Sequence, residues 1–235
     1  MSREVIVIGG LASKVANLAP FKLLGSLLSD NGHPYYVNGG HLIDGAIWAT
    51  TPSGQLEETA GLVASKPEAK FLIVSHSIGA IAAVETLKIF DTRTQAILIS
   101  PPLPSPAVAH GHSRIQARIH SHNGQRFIPS YSFALGDKGP SNIAPTPVDV
   151  IIPDDYEADI EMYSERFSED VRALATSSRL QLVIASRDWN TDALLAAASM
   201  PGVIHIDGAH SLQAAPDELN KTCSYIAEAW ESVGL

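Results

Sequence analysis

Short runs of consecutive apolar residues alternate along the chain with stretches in which apolar side chains return every third or fourth position. Such runs mark strands buried on both faces, and the spaced stretches mark helices packed by one side. The first run, Val5-Ile6-Val7-Ile8, predicts a strand over 4–10. A helix follows over 17–30, with Leu18, Phe21, Leu24, Leu27 and Leu28 on one face and Asn31-Gly32 as its stop. A short strand is expected over 34–37, ending at Asn38-Gly39-Gly40, then a helix over 53–66 started by Ser53 and closed before Pro67. Phe71 to Val74 has the length and branching of a buried strand. Ile78, Ile81, Ala82, Val84 and Leu87 then lie at helical spacing up to Phe90. The run Ala96-Ile97-Leu98-Ile99 predicts a strand over 94–100 that Pro101-Pro102 ends. Strands alternating with helices in this way imply parallel pairing and right-handed crossovers.

The alternation breaks over 101–178. Its first half is rich in proline, glycine, serine and histidine. Its second half is a charged helical stretch in which Tyr156, Ile160, Tyr163, Phe167, Val171 and Leu174 recur. Regularity returns with a strand over 180–185, an alanine-rich helix over 191–200, a last strand over 203–206 and a terminal amphipathic helix over 216–233. No internal repeat or low-complexity tract interrupts the chain.

The stretch between Val74 and Ile78 carries the chemistry. A strand that runs directly into a helix forces a tight bend, and the bend lifts one side chain, here Ser77, clear of the backbone. Small residues on either side, Ser75 and Gly79, let the two elements pack closely around it. Ser-His-Ser-Ile-Gly resembles the nucleophile elbow of the α/β-hydrolase fold, with Ser75 where a glycine is common. An ordinary serine in a strand-to-helix loop or at a helix cap is the plainer reading of the same residue. The resemblance covers nearly the whole chain outside 101–178. It implies a three-layer αβα sandwich, a reduced α/β-hydrolase fold with a mainly parallel six-stranded sheet. The core would comprise 1–100 and 179–235, with 101–178 inserted as a cap or lid. Phe127, Ile128, Tyr131, Phe133 and Leu135 are then candidates for its substrate-facing wall, or for seating the cap on the core.

A serine hydroxyl is a weak nucleophile and needs a base, with a carboxylate to orient that base. In the fold this chain resembles, acid and base follow the serine in that order on loops after later strands. Asp188 follows the strand ending at Ala185, and His210, in Asp-Gly-Ala-His-Ser, follows the strand ending at Ile206. Asp192 competes with Asp188, or it serves the first turn of the next helix. Gly9-Gly10-Leu11 occupies the loop after the first strand, where such proteins place half of the oxyanion hole, and it lacks the glycine spacing of a dinucleotide site. The resemblance therefore implies Leu11 and Ile78 N–H groups as oxyanion donors, with Gly10 and His76 lining the site beside Phe127, Tyr131 and Phe133.

Composition narrows the substrate. In 235 residues, 45% hydrophobic and 17% charged, a single domain can bury a large core. A net charge of −9 argues against nucleic acid or an anionic membrane surface as partner and favours a small, neutral acyl substrate. The single cysteine, Cys223, excludes an intramolecular disulfide and fits a reducing compartment. With no secretory leader pattern and no long apolar span, a soluble cytoplasmic protein is expected. His110, His112, His120 and His122 form two H-x-H pairs without nearby cysteine, so neither metal nor cofactor is expected. The resulting expectation is a serine ester or thioester hydrolase working through an acyl-enzyme. An acyltransferase, a cofactor-free lyase or cyclase and a non-catalytic ligand-binding relative share the same fold. Substrate identity and oligomeric state lie beyond these residues.

Overall fold

The computed structural model describes residues 2–11, 25, 34–103, 119–128, 149–187, 199–209, 223, 224, 227 and 231. Its centre is a parallel sheet built from the apolar runs: β1 (Arg3–Ile8), β2 (Tyr35–Val37), β5 (Lys70–His76), β6 (Thr94–Ile99), β10 (Leu180–Arg187) and β11 (Val203–Ala209). The spatial order is β11-β10-β6-β5-β1-β2, and every pair is parallel. Side chains alternate between its two faces, and both faces are buried. Ile6, Ile8, Phe71, Ile73, Ala96, Leu98 and Leu182 join one cluster, while Val5, Val7, Leu72, Val74, Ile97, Ile99, Val183 and Cys223 form the other. Double burial is the reason the strands read as unbroken apolar runs.

Helices supply the outer layers. On the first face lie α1 (Pro52–Ser65), α2 (Ala80–Ile89), α3 (Tyr156–Ser164) and α4 (Phe167–Thr176). Ile81, Val84 and Leu87 of α2 join that cluster, together with Tyr156, Ile160, Phe167 and Val171 from the second half of the 101–178 segment. Helical Cys223 covers the second face. Gly25, helical and within the expected 17–30 helix, abuts Pro34 and Val7 so closely that a Cβ would lie 2.7 Å from Pro34 Cγ. The rest of that helix, and most of those expected over 191–200 and 216–233, lie outside the described residues.

A second sheet was not anticipated. It comprises β3 (Gly40–Ile43), β4 (Ala46–Ala49), β7 (His120–His122), β8 (Gln125–Ile128) and β9 (Val150–Ile151), in the order β3-β4-β9-β8-β7. Two hairpins close on two-residue turns, Asp44-Gly45 (φ 49° and 82°) and Asn123-Gly124 (φ 51° and 78°). Positive φ at both central residues is the type I′ geometry that matches strand twist. The parallel pair of β4 with β9 joins Ile47 to Val150, tying the 101–178 segment to the chain before the elbow.

Element ends differ slightly from the sequence expectation. Helix α1 starts at Pro52, not Ser53, because Thr51 is its cap: Thr51 Oγ1 accepts the Gly54 N–H at 3.1 Å. Ser53 instead gives its backbone N–H to Asp159 Oδ2 at 2.6 Å and its hydroxyl to Asp159 Oδ1. That carboxylate locks α3 to the start of α1. No helix among the described residues is long and apolar enough to cross a membrane.

Candidate active site

The direction of chain travel locates the site before any side chain is considered. From β1 the chain moves outward to β2, and from β5 it moves the opposite way to β6, so the switch falls between the adjacent strands β1 and β5. Open α/β sheets bind ligands at such points, beyond the carboxyl ends of the strands. The segments that emerge there are Gly9-Gly10-Leu11 and His76-Ser77.

Ser77 follows β5 directly, opens a single 3-10 turn (Ser77–Gly79) and has φ 52°. A left-handed φ is uncommon outside glycine and asparagine, and costs about 1–3 kcal/mol where packing enforces it. The enforcement is visible on both sides of the serine. A Cβ on Gly79 would lie 2.5 Å from the Gly9 carbonyl oxygen, so only glycine lets α2 begin this close to the end of β1. A Cβ on Gly10 would meet Ser77 Cβ at 3.0 Å and His76 Nδ1 at 3.1 Å. Gly10, His76 and Ser77 are therefore in direct juxtaposition. Ile78 and His76 are buried, Ser77 is half-buried, and Leu11 packs partly buried on the main cluster.

Ser75, at the position where the resembling motif has glycine, is fully buried between Ile8 of β1 and Leu98 of β6. Its hydroxyl has no hydrogen-bond partner among the described residues. The strand accepts its Cβ without any departure from the parallel register.

Asp188, Asp192 and His210 lie outside the described residues, as do Tyr131, Phe133, Leu135, His110 and His112. The strands that lead to the acid and base candidates are described. Arg187 at the end of β10 is in register with Ala209 at the end of β11, so the two candidates each come one residue after a paired couple. A register irregularity between Ala185 and Arg187 sets this pairing up, since Ala185 faces Ile206 and two β10 residues span three in β11. Bulges of this kind re-aim the chain next to functional sites. Ser186 Oγ donates to Asp207 Oδ1 at 3.0 Å across the same two strands.

Phe127 lies on β8 of the second sheet, half-buried, with its ring 6.0 Å from that of His120. Its neighbour Ile128, on the opposite side of the strand, enters the main cluster that also holds Ile78. His120 and His122 are exposed on β7. Among the described residues no group of three or more metal-ligating side chains occurs.

One polar residue of this neighbourhood escaped the sequence reading. Gln55 of α1 is 1% exposed and donates from Nε2 to the Gly9 carbonyl at 2.8 Å. The buried stripe of α1 is Pro52, Gln55, Thr59 and Val63, at helical spacing but half polar, so an apolar-periodicity reading passes over it. Desolvation pushes the Tyr156 phenol well above its ordinary value and the Cys223 thiol up to about 11.

No protein-family model matches the chain, and no curated protein matches it in sequence. Solved structures do. The chain is similar to a monoacylglycerol lipase from Paleococcus ferrophilus (16% identity, covering 98% of this chain and 94% of that one, TM-score 0.66). It is similar to the esterase domain of a Rhodothermus marinus protein (18% identity, 97% and 85% covered, TM-score 0.59). A thermophilic esterase from Thermogutta terrifontis also resembles it (15% identity, 100% and 91% covered, TM-score 0.58). Identities this low speak to architecture alone, and together with the parallel six-stranded sheet they show that the chain has the α/β-hydrolase fold.

Proposed function

We propose that the protein is a serine hydrolase that cleaves a small-molecule ester or thioester through an acyl-enzyme on Ser77. The observation that carries this reading is the left-handed φ of 52° at Ser77, held between Gly10 and Gly79 at the switch point of the sheet. Strain kept at Ser77, with Gly10 packed against it and Gly79 letting the next helix start against Gly9, is what a presented nucleophile requires. The esterases and the lipase that share the fold support the substrate class.

In this mechanism Ser77 Oγ attacks the acyl carbon while His210 takes its proton, and the Asp188 carboxylate holds the imidazole in the working tautomer. The Leu11 and Ile78 N–H groups receive the negative charge that develops on the carbonyl oxygen. Collapse expels the alcohol or thiol, which leaves with the proton from His210. A water molecule, deprotonated by the same histidine, then releases the acid and restores Ser77. The core comprises 1–100 and 179–235, and the 101–178 segment caps it. Its β7–β9 part lies over the substrate, while α3 and α4 seat it on the core. The acidic surface suits a neutral acyl substrate, and the single buried thiol suits a reducing, cytoplasmic setting.

Mass spectrometry after fluorophosphonate treatment tests the reading. A single adduct on Ser77, absent from Ser77→Ala and His210→Ala, is expected, with turnover of p-nitrophenyl esters reduced at least about 10⁴-fold in both variants. An unmodified wild-type protein, with folded variants, would overturn it.

A further inference from the structure

We infer that Gln55 is a positioning residue for the oxyanion loop, an assignment that rests on the hydrolase reading and adds a residue to it. Gly9-Gly10 is the least constrained dipeptide a chain can offer, yet an oxyanion hole works only if its N–H groups are aimed before the charge appears. The loop must be held from outside. Two contacts do so at Gly9: its N–H donates to the Val37 carbonyl at 2.9 Å, and its carbonyl accepts the Gln55 amide at 2.8 Å. The same carbonyl oxygen rests against Gly79 at the start of α2. Gly9 is thus clamped by β2, α1 and the elbow, one residue before Gly10 touches Ser77 and two before the Leu11 N–H.

The base of Gln55 is fixed as well. It sits in the first turn of α1, which Thr51 caps and which the Asp159 carboxylate ties to α3 through Ser53. Gln55 is 1% exposed and only half of its amide is satisfied: Nε2 serves the buried Gly9 carbonyl, while Oε1 has no partner among the described residues. Burying the unpaired half offsets part of what that hydrogen bond adds to the fold, so its larger effect is on the aim of the loop.

The test uses the full chain with three substitutions. Gln55→Met keeps the length and removes the donor. Gln55→Asn keeps the amide but falls a methylene short, and reads the same quantity should the methionine variant not fold. Thr59→Val, one turn along the same buried stripe, removes a hydrogen bond internal to α1 (Thr59 Oγ1 to Gln55 O, 2.7 Å) and serves as the control for helix stability. Fluorophosphonate labelling rate, kcat and KM for a short-chain p-nitrophenyl ester, and melting temperature are measured for each. Gln55→Met is expected to lower labelling rate and kcat by about tenfold or more, below the 10²–10³ of losing a donor outright. KM should stay within about twofold, the melting temperature should fall modestly because the buried Gly9 carbonyl loses its donor, and Thr59→Val should label at the wild-type rate. Gln55 variants labelled as fast as wild type would overturn the inference alone, and so would Thr59→Val slowed by the same factor. A wild-type protein that is not labelled at all would overturn the hydrolase reading and this inference with it.

Discussion

The two sheets of this molecule are built on opposite terms. In the parallel sheet, β1, β5 and β6 are buried almost from end to end. In the second sheet β7 is wholly exposed and three of the four residues of β3 are, with Leu42, Ile43 and Trp48 among the exposed large apolar side chains. The first sheet is held by burial on both faces and the second by its turns and by the inner face of β8 and β9. Ser77, the proposed nucleophile, follows a strand of the first sheet, and Phe127, the candidate substrate wall, stands on the second. A buried scaffold under the proposed nucleophile and a more exposed candidate cover would let the cover vary while the scaffold stays fixed.

Three measurements sharpen that contrast. The largest effect is expected in the parallel sheet: Phe71→Ala, at a fully buried position beside the elbow strand's core, should cost about 3–5 kcal/mol by urea unfolding. A loss below about 1 kcal/mol would erase the distinction between the sheets. In the second sheet the sensitive positions are the turns. Gly45→Ala, at φ 82° with nothing within 4 Å of the added methyl, should cost only about 1 kcal/mol of backbone strain and leave Ser77 labelling unchanged. The smallest effect at neutral pH concerns the second face of the parallel sheet. Burial raises the Cys223 thiol to about 11, so native protein should resist iodoacetamide at pH 8 and react once unfolded. The neutral thiol is favoured by folding. Its contribution is therefore complete below the ordinary thiol value and is lost as pH rises through about 11, so the difference from Cys223→Ala should shrink across that window. Equal labelling of native and unfolded protein would show that this face is open.

Strands β1, β5, β6 and β10 were legible because burial on both faces leaves a local signature, an apolar run of strand length. Ser77 was legible because a strand met a helix with no room for a loop. The second sheet left weaker marks. Asp44-Gly45 and Asn123-Gly124 are strong hairpin signals, but the strands beside them are three or four residues long and mixed in polarity, so no period develops. On sequence grounds α1 starts at Ser53. The cap falls to Thr51, and Asp159, distant in sequence, takes Ser53.

By itself, then, the order of residues determined the strands of the six-stranded sheet and the helices that follow Thr51, Gly79 and Asp155, that those six strands run parallel, and that Ser77 lies on the bend after β5. These follow from steric and solvation preferences that act over a few neighbouring residues. Tertiary structure decided the rest: the pairing of Ile47 with Val150, the packing of Gly10 against the left-handed Ser77 and of Gly79 against Gly9, and the reach of Gln55 to the Gly9 carbonyl across 46 positions. Each of these contacts exists only once the sheet has closed. Their partners share no local pattern, and the free energy that joins them comes from packing between elements, to which periodicity along the chain is blind.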